Sequence, residues 1–111
     1  SICGRTQAVT LADGKIEARE VHPEEAGLPV HPLDAILGGT PEANAAAFRA
    51  LLGGAHGAYR DAVVLNSAAA LLIAGRASDL RAGAEMARES LDSGAARGKV
   101  DALARATNEE C

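Results

Sequence analysis

The side chains able to take part in chemistry are few and scattered in this sequence. His22, His31 and His56 fall in loop-forming stretches, and none shares a predicted helix with a carboxylate or a cysteine. An imidazole that acts in acid–base or nucleophilic catalysis needs a positioned partner within hydrogen-bond reach. His22 and His31 also precede prolines, which favours extended backbone. We therefore predict that the histidines are exposed loop residues.

Two further patterns suggest ligands without specifying them. Glu24-Glu25 is an adjacent acidic pair, and Mg²⁺ prefers carboxylate oxygens, but the pair lies in a proline-rich loop where solvated charge is the simpler interpretation. Gly38-Gly39-Thr40 precedes a helical pattern, where free N–H groups and the helix dipole attract anions. The lysine and the full glycine spacing of a phosphate-binding loop are absent, so we predict a helix cap.

Polar residues also occur in the most apolar helical pattern of the chain. Asp61 lies near the predicted N-terminus of that helix, where a negative charge is favourable, and Arg60 can pair with a neighbouring element. Asn66 falls inside the apolar run and must find hydrogen-bond partners if it is buried. We predict structural polar contacts for these residues, with substrate binding as the alternative.

Composition excludes several classes of function. The net charge is −4 and no basic patch is present, which argues against specific nucleic-acid binding. The longest apolar run, residues 62–74, is too short for a bilayer core of about 30 Å, and no signal segment is recognised. Cys3 and Cys111 lack a metal-ligand spacing, so we expect free thiols in a cytoplasmic protein without a membrane partner.

The elements that must position these residues begin with a hairpin. Residues 6–11 and 16–21 flank Asp13-Gly14, a strong turn signal. Residues 21–32 contain three prolines and predict an extended connector over a surface, and residues 33–37 predict one helical turn.

Four helices are predicted after the connector. The first, Pro41–Leu52, is capped by Thr40, is ended by Gly53-Gly54 and has one face formed by Asn44, Ala47, Phe48 and Leu51. The second is predicted over residues 59–74. From Val63 to Ala74 it is apolar on all sides apart from Asn66 and Ser67, which predicts burial on every face inside something larger.

The last two helices are amphipathic. Ser78 is predicted to cap residues 79–92, with an apolar stripe opposite a charged, solvated face on which Glu85 and Glu89 each stand near an arginine. The fourth helix, residues 95–106, centres on Val100 and Leu103, and residues 107–111 are predicted to fray. The stripe of the third helix consists of Leu80, Ala84, Ala87 and Leu91, and its charged face of Arg81, Glu85, Arg88 and Glu89.

The bulk composition favours part of a larger protein. Hydrophobic residues make up 48% of the 111 residues but aromatic residues only 2%, so a core of small side chains would be marginal alone. The chain opens with Ser1 rather than methionine. Processing or expression can explain that start, but excision from a longer chain also fits the helix predicted to be buried on every face.

Residues 38–75 closely resemble the C-terminal part of the anthranilate phosphoribosyltransferase family. There a helix with a Gly-Gly-acidic-x-x-x-Asn-Ala motif precedes a Gly-x-x-Arg-Asp-x-Val-x-Leu-Asn-Ala-Ala helix. The upstream residues 22–39 look like the family's Pro-Glu-Asp-Phe-Gly-Leu segment, so the resemblance covers essentially the whole chain. Two residues depart from it: Ser67 replaces an alanine and Arg5 a proline. The matching residues are Asn44-Ala45, Arg60-Asp61, Leu65-Asn66 and LDSGAA at 91–96.

The resemblance implies a parent enzyme of tryptophan biosynthesis. Such enzymes transfer phosphoribosyl from phosphoribosyl pyrophosphate to anthranilate with Mg²⁺ bound. Their fold is α/β, a small helical domain plus a large α/β domain, and they usually form homodimers through the helical domain. This chain, residues 1–111, would be a C-terminal fragment of the large domain, a short β-hairpin followed by about four α-helices.

The family's phosphate-binding, anthranilate-binding and magnesium-binding motifs belong to earlier portions of such an enzyme, the acidic magnesium pair ending just before Ser1. No catalytic, substrate-binding or metal-binding residue is therefore carried over to this chain. We expect the fragment to be inactive alone, to bind no Mg²⁺ and to need the missing N-terminal part as its partner. The alternatives are a related pyrimidine nucleoside phosphorylase, a diverged phosphoribosyltransferase, or a non-enzymatic helical interaction module.

Overall fold

The computed structural model describes residues 1–109, which form a hairpin followed by four helices, as predicted. Cys111, predicted to be a free thiol, and the end of the tail predicted to fray lie outside the described residues. Two short 3₁₀ turns, Pro23–Ala26 and Leu33–Ile36, separate the hairpin from the helices. The elements are β1 (Thr6–Ala12), β2 (Lys15–Val21), α1 (Pro41–Leu52), α2 (Ala58–Ile73), α3 (Leu80–Asp92) and α4 (Ala95–Asn108).

The hairpin has the tight turn that its sequence indicates. Ala12 pairs with Lys15, so the loop contains only two residues. Asp13 and Gly14 have φ values of 50° and 74°, the left-handed pair of a type I′ turn. This turn matches the right-handed twist of the strands, which explains why Asp-Gly is favoured here. The predicted hairpin is confirmed.

The first half of the connector is not an extended surface segment, and that prediction was wrong. Pro23–Ala26 forms a 3₁₀ turn closed by hydrogen bonds from Gly27 N–H to the Glu24 carbonyl and from Leu28 N–H to the Pro23 carbonyl. Pro23, Ala26 and Leu28 are buried. The turn packs against α3, which sequence proximity could not indicate. The helical turn predicted over residues 33–37 is present as Leu33–Ile36.

Within residues 1–109, α2 is not buried on every face, so its predicted burial inside something larger stays a prediction. Its buried residues are Arg60, Val64, Leu65 and Ala68, whereas Asn66 is exposed and Ile73 is 88% exposed. The face of α1 formed by Asn44, Ala47, Phe48 and Leu51 is mostly exposed in the described chain. Of its four members only Leu51 is buried, while Asn44, Ala47 and Phe48 are exposed.

The core is centred on the close packing of α2 against α3. A Cβ placed on Gly83 would lie 2.8 Å from the Ala68 carbonyl oxygen, so a glycine at this position lets the two helices meet. The predicted stripe of α3 is confirmed, since Leu80, Ala84, Ala87 and Leu91 are all buried. The small residues Gly83, Ala84 and Ala87 let two backbones pack closely where larger side chains would separate them.

The helix ends differ in detail from the predictions. Asp79 rather than Ser78 caps α3, because its carboxylate accepts the Ala82 N–H at 2.8 Å. The fourth helix ends at Asn108, two residues later than expected, and Leu103 is exposed while Val100 is half-buried. None of the helices within residues 1–109 combines the length and apolarity needed to cross a bilayer.

Candidate functional site

Two charged residues at the start of α2 each pair with a residue that is distant in the sequence. Arg60 lies in the first turn of α2 and is only 5% exposed. This burial agrees with the prediction that Arg60 makes a structural contact. Its Nη2 donates a hydrogen bond to Asp92 Oδ2 at 2.9 Å. The same nitrogen lies 2.8 Å from Asp92 Oδ1. The pair ties the beginning of α2 to the end of α3. Within residues 1–109, the buried Nη1 has no hydrogen-bond partner.

Asp61 forms a second pair beside the first. Its Oδ2 lies 2.7 Å from His31 Nε2, and both side chains are 22% exposed. The His31 backbone N–H also donates to the carbonyl of the buried residue Ile2 at 3.1 Å. The prediction that His31 is an exposed loop histidine was therefore wrong. Its acidic partner is 30 residues away, a separation at which no local spacing signal exists.

The Gly38-Gly39-Thr40 turn is a helix cap, as predicted. Thr40 Oγ1 accepts the Ala43 N–H at 3.3 Å. The Asn44 side chain closes around Gly39, accepting its N–H at 2.8 Å and donating to its carbonyl at 3.2 Å. Because Asn44 uses the Gly39 N–H, that group is not available to an anion. The Asn44 side chain thus makes a structural contact that was not predicted from the sequence.

Glu24 and Glu25 differ in their contacts: Glu25 is held by hydrogen bonds, whereas Glu24 is largely exposed. Glu25 accepts the His22 backbone N–H at 2.8 Å and an Arg19 guanidinium N–H at 2.9 Å. The Arg19 hydrogen bond, followed by the one from His22, holds the pKa of Glu25 below its usual value of 4.5. Glu24 is largely exposed, 3.6 Å from His22 Nδ1. No cluster of three or more metal-ligating side chains exists among residues 1–109.

The remaining residues considered as possible functional residues belong to no larger cluster of polar side chains among the described residues. Asn66 donates to the Ala62 carbonyl of its own helix, a structural polar contact as predicted, but the side chain is exposed in the described chain rather than buried. His56 is exposed, and Cys3 is half-buried and forms no disulfide with another described residue. Arg5 makes an exposed ion pair with Glu20 at 3.3 Å. The side-chain contacts described above connect one secondary-structure element to another. None of those contacts, among the described residues, joins a nucleophile to a base.

Comparison with known proteins identifies the family. The sequence pattern described as "Glycosyl transferase family, a/b domain" matches residues 1–97, most of the chain. The chain belongs to this family. The matched range includes the hairpin, α1, α2, α3 and the Arg60–Asp92 pair, so the fastening contacts described above lie inside the family domain. The a/b domain of this family also agrees with the predicted α/β class of the parent fold.

Curated relatives of this glycosyl transferase family domain are named anthranilate phosphoribosyltransferase, which confirms the resemblance. The relative from Azorhizobium caulinodans is 53% identical over 107 residues, covering 96% of this chain and 31% of the relative. Those from Rhodopseudomonas palustris and Xanthobacter autotrophicus are 47% and 48% identical, each over 93% of this chain and 30% of their own length. The chain thus spans about a third of the length of the relatives it matches.

Proposed function

We propose that this chain is the C-terminal part of the large α/β domain of an anthranilate phosphoribosyltransferase. The whole enzyme would transfer phosphoribosyl from phosphoribosyl pyrophosphate to anthranilate and release pyrophosphate in tryptophan biosynthesis. The observation that carries this proposal is the 53% identity over 96% of the chain to a protein of that name. Identity at this level extends through both strands and all four helices rather than one short motif.

In this proposal the chain positions other parts of the enzyme and supplies no reacting group. The Arg60–Asp92 and His31–Asp61 pairs fix α2 against α3 and against the segment that contains Ile2. A rigid backing of this kind is what a precisely placed substrate loop needs. We expect residues 1–111 alone to be inactive.

The acidic residues of the described chain do not fit a magnesium site. Glu25 is held by Arg19 and the His22 N–H, and no third ligand stands beside Glu24. We therefore propose that the Mg²⁺ of the whole enzyme is bound outside this chain. A cytoplasmic location and a homodimer formed through the small helical domain complete the proposal.

A chimeric enzyme tests the proposed function. The segment of the Azorhizobium caulinodans relative that this chain matches would be replaced by this chain, and the consumption of phosphoribosyl pyrophosphate would be followed with and without anthranilate. We expect anthranilate-dependent turnover by the chimera and none by residues 1–111 alone. A folded chimera without turnover, or turnover by the isolated chain, would contradict the proposal.

The same chimera separates the related activities. A pyrimidine nucleoside phosphorylase would cleave a pyrimidine nucleoside with inorganic phosphate, so that reaction is assayed in parallel. Arg5 is the residue that favours divergence, and its pairing with Glu20 is exposed. The variant Arg5→Pro, which restores the family residue, should leave the chimera's preference for anthranilate unchanged.

A further inference from the structure

An apolar groove runs between the four helices on one side of α2. It has a volume of about 660 Å³, within the range of small-molecule sites. The hairpin lies beside a different face of α2, formed by Leu65, Ala69 and Leu72. The groove is lined mainly by apolar side chains from all four helices, among them Phe48, Leu52, Ala70, Met86 and Val100.

The lining differs from the alanine-rich packing elsewhere in the chain. The only phenylalanine and the only methionine of the sequence, Phe48 and Met86, both border this groove. Methionine adapts its shape to irregular apolar contacts, and an aromatic ring presents a large apolar area. The hydroxyls of Ser67 and Ser90 are its polar side-chain groups. The groove therefore suits an apolar body of modest size.

One end of the groove is bordered by positive charge. A second cavity of about 370 Å³ shares Phe48, Leu52 and Val100 with the groove and adds Arg49 and Arg97. Within residues 1–109, neither arginine has an acidic partner within ion-pair distance, although Asp101 also lines this cavity.

The position of Arg97 adds to the charge argument. It lies in the first turn of α4, where a cation opposes the helix dipole, whereas an anion there would be favourable. Guanidinium groups also bind carboxylates through paired, charge-assisted hydrogen bonds. We propose that this groove binds a small amphiphilic carboxylate, with the apolar chain or ring between the helices and the carboxylate at Arg49 and Arg97.

Decanoate is the probe, and 1-decanol is its neutral control. Binding would be measured by calorimetry both on residues 1–111, at a concentration where they are monomeric, and on the chimeric enzyme described above, with amide chemical shifts locating the ligand. We expect saturable decanoate binding with shifts at Phe48 and Val100. The double variant Arg49→Gln/Arg97→Gln should weaken decanoate binding about tenfold, as expected for lost charge-assisted hydrogen bonds, and leave decanol unaffected.

The matched control is Arg76→Gln/Arg105→Gln, which removes the same charge away from both cavities and should leave the decanoate affinity unchanged. Ala70→Phe, which fills the groove from an exposed position, should abolish binding while circular dichroism shows the helices intact. Absence of saturable binding, equal affinity for decanol and decanoate, or chemical shifts elsewhere would overturn the proposal. So would concentration-dependent shifts showing a second copy of the chain seated in the groove.

Discussion

At the scale of single residues, the two members of the Arg60–Asp92 ion pair differ in their exposure to solvent. Arg60 is 5% exposed, whereas the Asp92 side chain is 56% exposed. Removing Asp92 leaves a buried guanidinium without its acid, whereas removing Arg60 leaves a carboxylate that water can solvate.

We therefore predict that Asp92→Ala costs more stability than Arg60→Met. The expected losses are about 2–3 kcal/mol for Asp92→Ala and about 1 kcal/mol for Arg60→Met, which keeps the apolar volume. Urea denaturation of the two variants measures the difference. Equal losses would show that the guanidinium finds other partners when Asp92 is absent.

Glu25 gives a pH prediction at the same scale. Its pKa is lowered in the folded chain, mainly by the Arg19 hydrogen bond, so the folded state holds its proton less tightly than the unfolded state. The stabilisation is therefore present above pH 4.5 and is lost as the pH falls through the lower folded value. A carbon-detected titration should place the Glu25 pKa below 4.5, and Arg19→Gln should raise it. An unchanged pKa in Arg19→Gln would assign the shift to the His22 N–H instead.

At the scale of elements, the contact between α2 and α3 depends on Gly83. A Cβ at this position would lie 2.9 Å from the Ala68 Cα, which is backbone and cannot move aside cheaply. We predict that Gly83→Ala destabilises the chain by about 2 kcal/mol, the usual cost of overpacking. Thermal denaturation measures the effect.

The control is Gly98→Ala in α4, where an added Cβ meets no atom within 4 Å. This variant should be neutral or stabilise the chain by about 0.5–1 kcal/mol, because alanine favours a helix. If Gly83→Ala also behaved in this way, the two helices would pack less closely than the structure shows.

The elements also show what the sequence could predict. The bounds of α1 were predicted correctly because Thr40, Pro41 and Gly53 act within one turn of it. The turn at Pro23–Ala26 was missed because its burial depends on α3, whose Arg88 donates to the Gly27 carbonyl 61 residues away. The His31–Asp61 pair was missed for the same reason. Local signals predicted the bounds of α1 and placed the other helix ends to within one or two residues, whereas contacts distant in sequence decided which residues are buried.

At the scale of the whole molecule, the hairpin presents apolar side chains to solvent. Leu11 and Ile16 pair across the strands and are 71% and 74% exposed, with Val9 beside them. A lone domain seldom exposes such a cluster, which marks a surface that packs against something. This argues against an independent helical module.

We predict that residues 1–111 self-associate weakly through this hairpin. The double variant Leu11→Thr/Ile16→Thr should keep the strands and reduce association several-fold in sedimentation velocity, because apolar area is removed. The control Thr10→Ser/Glu17→Gln alters the neighbouring cross-strand pair, whose side chains lie on the other face. Equal association of all three proteins would place the contact elsewhere.

The proposal that this chain is about one third of a longer phosphoribosyltransferase predicts the size of the native polypeptide. It is tested most directly by the intact mass of the native polypeptide, recovered from cells with an antibody against α3. Since the chain matches 31% of its Azorhizobium caulinodans relative, we predict a mass about three times 11.2 kDa. A native polypeptide of 11.2 kDa would contradict the account.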